Sequence, residues 1–235
     1  MSAAHGLTRL HPESPMDVAR LASHLDHTIL RPDARQIDVE QACRVARDFG
    51  CAAVCVNAIH VALSGRLLAG SSVHVVAVVG FPFGATYTEV KVLETELAVR
   101  DGADEIDMVI SIGQLKDDQL ELIEHDISAV VAAAAGRPVK VILECGLLTD
   151  KQKKAGTRVA ARAGAALVKT STGFLGSGAT VHDVTLLHET GGTKLSVKAT
   201  GGIRFFEDAV ALIEAGASRL GASRTEEILE SRVVV

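Results

Sequence analysis

Three charged residues stand where strands should carry core side chains. Glu105-Ile106-Asp107-Met108-Val109 alternates polar with apolar, which sets Asp107 on the opposite face from Ile106 and Met108. Ala166-Leu167-Val168-Lys169-Thr170 and Leu195-Ser196-Val197-Lys198-Ala199 each place a lysine at the C-terminal end of a strand-like run. Lys and Asp are rarely buried without a partner. One such lysine alone reads as a side chain snorkelling to water. Two at equivalent places on consecutive strands, with an aspartate two strands earlier, read as a site. Neighbouring strands lie about 4.8 Å apart. Two ammonium groups about 5 Å apart, at an effective dielectric of about 20, repel by roughly 3 kcal/mol. That repulsion lowers one lysine pKa by about two units, and desolvation adds to it. A lysine near neutrality is a nucleophile for a carbonyl, and the product is a Schiff base. Repulsion is symmetric, so it leaves open which of the two lysines attacks.

The elements that must position these residues alternate along the chain. Val- and Ile-rich runs predict strands at Leu25–Thr28, Ala52–Val56, Val73–Val79, Glu105–Val109, Val139–Leu143, Leu167–Thr170, Ser196–Ala199 and Arg219–Gly221. Between them, helical periodicity predicts Gln36–Phe49, Ile59–Leu68, Thr88–Arg100, Leu120–Ala135, Lys151–Ala163, His182–Thr190 and Phe206–Ala215, with a short helix from about Arg224. A glycine recurs where a helix gives way to a strand, at Gly50, Gly102, Gly164 and Gly216. Glycine there suits the left-handed residue that stops a helix. These glycines are 52, 62 and 52 residues apart, and each interval holds two strands and two helices. Eight strand–helix units in one chain predict a single-domain α/β fold, a (β/α)8 TIM barrel spanning 1–235, with a short extension over about residues 1–15 outside it. An open doubly wound sheet is the competitor, but the glycine fingerprints of nucleotide-binding loops are missing. In a barrel the chemistry belongs at the C-terminal ends of the strands and in the loops after them.

Composition narrows the function further. The chain has 235 residues, 24 Lys+Arg against 29 Asp+Glu, a net charge of −5, 3% aromatic residues and no Trp. That balance argues against a nucleic-acid partner, which needs basic patches and stacking platforms. The longest apolar runs are far shorter than the roughly 18 residues of a membrane span. Cys43, Cys51, Cys55 and Cys145 form no C-x-x-C pair and read as reduced buried thiols. The first twenty residues, with Arg9, Glu13, Asp17 and Arg20, carry no apolar leader run, so a cytoplasmic location is expected. His24 and His27 lack a third ligand at metal spacing, and no metal site is expected.

Val168-Lys169-Thr170-Ser171-Thr172-Gly173-Phe174 resembles the Schiff-base motif of the deoxyribose-phosphate aldolase family. The resemblance runs through nearly the whole chain. It takes in Leu25-Asp26-His27-Thr28-Ile29-Leu30-Arg31-Pro32, Val54-Cys55-Val56-Asn57, Val79-Gly80-Phe81-Pro82-Phe83-Gly84 and Glu105-Ile106-Asp107-Met108-Val109-Ile110. It continues through Lys140-Val141-Ile142-Leu143-Glu144, Val197-Lys198-Ala199-Thr200-Gly201-Gly202-Ile203-Arg204 and Gly221-Ala222-Ser223-Arg224. The resemblance implies a class I aldolase on a (β/α)8 barrel that works without metal or cofactor. Its reaction is the reversible cleavage of 2-deoxy-D-ribose 5-phosphate into D-glyceraldehyde 3-phosphate and acetaldehyde. It also implies that Lys169 forms the Schiff base, that Lys198 lowers its pKa and joins a proton relay, and that Asp107 donates and accepts the proton. The expected partners are a small sugar phosphate and acetaldehyde, and a homo-oligomer is possible.

Barrels often hold phosphate with the loops after the seventh and eighth strands. Here these loops contain Gly201-Gly202 and Gly221-Ala222-Ser223, and Thr172-Gly173 after the sixth strand closes the cradle. Arg204 and Arg224 are nearby cations of lower weight. Asp26 is a candidate for a substrate hydroxyl or for a plain loop cap. Asn57 and Glu144, near strand ends, read either as supporting groups or as ordinary hydrogen-bonding residues. The chain departs from some family members in three places. Phe174 stands where they carry a lysine, Arg224 where they carry a second serine, and Val233-Val234-Val235 where they carry a tyrosine-bearing tail. The rival readings are a metal-dependent aldolase or phosphosugar isomerase on the same frame, and a binding module without catalysis.

Overall fold

The computed structural model describes residues 16–232, so the expected extension over about residues 1–15 and the terminal Val233–Val235 lie outside the described residues. Eight parallel strands close in chain order into a barrel: β1 (Leu25–Ile29), β2 (Ala53–Val56), β3 (His74–Val79), β4 (Glu105–Val109), β5 (Val139–Ile142), β6 (Leu167–Lys169), β7 (Ser196–Thr200) and β8 (Arg219–Ala222). Among the described residues ten α-helices surround it: α1 (Val18–Ala22), α2 (Gln36–Phe49), α3 (Val61–Leu67), α4 (Thr88–Arg100), α5 (Ile112–Lys116), α6 (Leu120–Ala133), α7 (Asp150–Arg162), α8 (Val181–Gly191), α9 (Phe206–Glu214) and α10 (Thr225–Glu230). The expected barrel is therefore the observed one, and every predicted strand is present. The short helices α1 and α5 escape the sequence reading, because about one turn carries no apolar period to detect.

The strands sort their side chains by alternation. Val54, Val56, Val75, Ala77, Val79, Ile106, Met108, Val139, Val141, Val168, Val197 and Ala199 point out and form the large core beneath the helices. A separate small cluster of Ala53, Cys55, Val76 and Val78, with Leu30 and Phe81, fills the other face of β2 and β3. On β4 through β8 that same inner face is charged, and this asymmetry places the site.

Local signals fix the boundaries. Gly50 ends α2 in the left-handed conformation (φ 68°, ψ 41°), and Gly102, Gly164 and Gly216 also have positive φ. Thr149 and Gln152 form a reciprocal capping box on α7. Two helix pairs bury lysines that the sequence offers as surface charge. Lys91 on α4 bonds Asp126 on α6 at 2.5 Å, and Lys153 on α7 bonds Asp183 on α8 at 2.6 Å. Each lysine is buried with its carboxylate, so the charge is matched where water is excluded.

Candidate active site

Asp107 sits on β4 with its side chain in the barrel, fully buried. Register sets its neighbours. Lys140 on β5 lies opposite Asp107, and Lys169 on β6 lies opposite Lys198 on β7. Asp107 Oδ2 accepts hydrogen bonds from Lys169 Nζ and Lys198 Nζ, both at 2.9 Å, and Oδ1 accepts one from Lys140 Nζ at 2.6 Å. The three residues expected to carry chemistry are thus in direct contact, and the two lysine nitrogens are no more than about 6 Å apart.

Around them the barrel holds charges the sequence reading did not single out. Lys140 Nζ is 2.7 Å from Glu105 Oε2. Arg219, on β8, bonds Asp26 through Nε at 2.9 Å and through Nη2, and reaches Glu105 Oε1 at 3.2 Å. Lys198 also bonds Asp26. Asp26 lies inside β1 with both oxygens engaged, beneath the mouth; it does not cap a loop. Lys140 had the same signature as the predicted lysines, a charge between Val139 and Val141 inside a strand.

Burial alone would raise Asp107, but Lys140, Lys169 and Lys198 outweigh it and hold the carboxyl well below the ordinary range. Asp26 is lowered in the same way, burial being overcome by Lys198 and then Arg219. Glu105 drops to about 2, its burial offset by Lys140 and Arg219. Lys198 behaves differently from a simple lysine pair. Burial would lower its pKa, yet the carboxylates of Asp107 and Asp26 raise it, so Lys198 stays a cation. That breaks the symmetry left by mutual repulsion. Lys198 bonds two carboxylates, Asp26, which it shares with Arg219, and Asp107, which it shares with Lys140 and Lys169, whereas Lys169 bonds Asp107 alone.

These shifts have a consequence for stability. The unfolded chain takes up protons at ordinary carboxylate pKa values, while the folded chain resists until lower pH, so the stabilisation is present at neutral pH and lost on acidification. Glu105, shifted from 4.5 to about 2, accounts for about 3 kcal/mol of this by itself. His27, lowered from 6.5 to about 4 by burial, adds a loss of the same sign starting at milder acidity. Urea midpoints measured from pH 7 to pH 3 are expected to fall steadily, most steeply below pH 4.5. Midpoints independent of pH over that range contradict the charged interior.

Above the charged layer the barrel mouth opens into a cavity of about 590 Å³. Six of the residues expected to bind substrate line it: Thr172, Gly173, Gly201, Gly202, Gly221 and Ser223. Gly221 has a steric reason to be glycine, since a Cβ would meet Thr200 Oγ1 at 2.6 Å and Lys198 Cε at 3.3 Å. Arg204 is exposed and does not line the cavity, and Arg224, also exposed, pairs with Glu227 at 3.1 Å. Phe174 lines the mouth and meets Phe81 edge to face, with ring centroids 5.2 Å apart. Asn57 donates to the Leu30 carbonyl at 3.2 Å, which ties two loops together. The four cysteines are buried and unpaired. Asp150, His182 and Asp183 cluster on the helical shell, where Lys153 bonds both carboxylates at 3.2 and 2.6 Å. Among the described residues no helix is long and apolar enough to cross a membrane.

Comparison with known proteins agrees with this geometry. The chain is 49% identical over 219 residues to a deoxyribose-phosphate aldolase of Clostridium perfringens, covering 93% of this chain and 98% of that one. It is 50% identical over 212 residues to deoxyribose-phosphate aldolase 1 of Bacillus licheniformis, covering 90% and 95%. A solved structure from Aeropyrum pernix, described as a unique tetrameric deoxyribose phosphate aldolase, superposes with a TM-score of 0.86 at 34% identity, covering 92% of each chain. Residues 20–226 match the DeoC/LacD family aldolases, and with this site at the mouth of this barrel the chain belongs to that family.

Proposed function

We propose that this protein catalyses the reversible aldol cleavage of 2-deoxy-D-ribose 5-phosphate to D-glyceraldehyde 3-phosphate and acetaldehyde through a Schiff base on Lys169. The observation that carries the reading is the buried Lys169–Asp107–Lys198 contact directly beneath a glycine-lined mouth. The relatives' names supply the substrate.

The uncharged amine of Lys169 attacks C1 of the open-chain sugar, and the carbinolamine loses water to give an iminium. Acetaldehyde contains two carbons, so the bond that breaks is C2–C3. Its electron pair moves into the iminium, giving an enamine on Lys169, and C3 becomes the aldehyde of glyceraldehyde 3-phosphate. Asp107 takes the proton released by the C3 hydroxyl, with Lys198 relaying it. Protonation of the enamine at C2 and attack by water then free acetaldehyde and restore the lysine. Four cations, Lys140, Lys169, Lys198 and Arg219, face three carboxylates, Asp26, Glu105 and Asp107, so the set is balanced when Lys169 carries no proton. Thr172, Gly173, Gly201, Gly202, Gly221 and Ser223 cradle the phosphate, where bare backbone lets N–H groups approach an oxyanion. The amides of Gly201 and Gly202 have no hydrogen-bond partner among the described residues, which leaves them for a ligand.

A homo-oligomer belongs to this proposal. The Aeropyrum pernix relative is described as tetrameric, and Tyr87, Val90, Leu93 and Leu97 leave apolar surface exposed on and beside α4. A cytoplasmic location also belongs to it, supported by four reduced, buried thiols.

Borohydride reduction in the presence of acetaldehyde tests the chemistry. An ethyl group is expected on Lys169 alone, located by mass mapping of peptides. An adduct on Lys140 or Lys198 instead would refute the assignment.

A further inference from the structure

Glu144 follows β5 and is fully buried, yet among the described residues it takes part in no ion pair. Its Oε2 accepts two hydrogen bonds from one residue, the Thr172 N–H at 2.9 Å and the Thr172 Oγ1 at 2.6 Å. Its Oε1 has no hydrogen-bond partner. The backbone of Glu144 is left-handed (φ 59°, ψ 61°), a conformation unfavourable for any residue with a Cβ. A half-satisfied buried carboxylate on strained backbone is costly, and such costs persist where a site needs them.

All of its side-chain bonding goes to the cradle. The same Thr172 Oγ1 accepts from the Phe174 N–H at 3.1 Å. The amides on either side of Gly173 are therefore turned inward, and the Gly173 amide, at φ 82°, has no partner among the described residues. The other flank of this loop is fastened to β7, where Ser171 Oγ donates to the Thr200 carbonyl at 2.5 Å and the Ala179 N–H reaches the Thr200 and Gly201 carbonyls at 3.1 and 3.0 Å. Every hydrogen bond that Thr172 donates ends on Glu144.

We infer that Glu144 is the positioning residue of the phosphate cradle: its carboxylate holds Thr172 and, through it, Phe174, leaving the Gly173 amide for the substrate's phosphate. This rests on the phosphate reading proposed above. The Glu144 carboxylate bonds Thr172 and makes no hydrogen bond or ion pair with a lysine among the described residues, so its effect falls on binding of the phosphate ester and leaves the bond-breaking steps alone.

The test compares the intact protein with Glu144→Ala and Glu144→Gln on 2-deoxyribose 5-phosphate and on unphosphorylated 2-deoxyribose. Glu144→Ala is expected to raise KM for the phosphate ester about tenfold or more, with kcat within about threefold and KM for the free sugar within about twofold. Glu144→Gln keeps an acceptor oxygen for Thr172 and is expected to restore the phosphate-ester KM to within about threefold. Equal losses on both sugars, or a fall in kcat alone, overturn the inference. Should Glu144→Ala fail to fold, Thr172→Val removes the hydroxyl donor instead, and the same preference for damage on the phosphate ester is required. Calorimetric titration with inorganic phosphate needs no turnover and separates the two readings. A wild-type protein that binds phosphate but cleaves no sugar refutes the aldolase reading while leaving the Glu144 comparison intact. Equal phosphate affinity in wild type and Glu144→Ala, or none in the wild type, overturns the role given to Glu144.

Discussion

Lys169→Met is expected to reduce turnover by about 10⁴-fold or more, because it removes the amine proposed to form the covalent intermediate. The substitution should leave the fold intact, and the geometry says why. Asp107 retains Lys140 at 2.6 Å and Lys198 at 2.9 Å, so its charge stays matched after one ammonium is lost. The methionine chain fills most of the space of the lysine stem, which limits any cavity. Circular dichroism and the urea midpoint at pH 7 should therefore resemble wild type, and the loss of activity cannot be traced to unfolding. The borohydride adduct should vanish with the activity. If substantial turnover survives together with a trapped adduct, the nucleophile is another lysine, and Lys140, equally buried and bonded to the same carboxylate, is the first to examine. If turnover survives without any adduct, the Schiff-base scheme itself is refuted.

How much of this was legible in the sequence depends on the range over which each feature is set. Gly50 and its three counterparts stop helices by their own backbone freedom, a local effect, and the repeating strand–helix units that follow from them predict the barrel. Lys169 and Lys198 were legible because a charge inside a short Val-bearing strand violates the expected pattern. Lys140 violates it just as plainly. Its partners, Glu105 and Asp107, come from the register of β4 against β5, which the sequence does not show. Asp26 was a candidate from the sequence, but its pairing with Arg219 was beyond reach. They meet only because β8 closes on β1, which brings residues at the two ends of the chain into contact. The same closure overturns the simple electrostatics of two lysines, since the carboxylate that secures Lys198 lies 172 positions away in sequence. Glu144 carries no local sign of a left-handed backbone, as Leu143-Glu144-Cys145 contains neither glycine nor asparagine. Buried ion pairs on the helices were invisible for a related reason. Lys91 and Asp126 are ordinary helix residues in isolation, and only packing of α4 against α6 removes them from water.

Lys198→Met separates charge from nucleophilicity. The wild-type Lys198 cation, secured by Asp26 and Asp107, lies near the attacking nitrogen and opposes a second positive charge there. With that cation gone, Asp26 keeps Arg219 and Asp107 keeps Lys140 and Lys169, so the barrel interior remains paired and folding is expected to survive. Two kinetic effects follow. The proton relay loses a member, which lowers kcat by about 10²- to 10⁴-fold, the usual contribution of a positioned acid or base. The cation that opposes a second positive charge on the nucleophile is also gone, so the rising limb of the pH–rate profile should move to higher pH. The two effects are distinguishable because only the second depends on pH. Lys198→Arg restores the cation on a bulkier head, and should return the pH limb towards wild type while recovering less of kcat. A lowered rate with an unmoved limb means that Lys198 acts as a proton carrier alone, and that Lys169 owes its reactivity to the crowding of three ammonium groups on one carboxylate without help from any single neighbour.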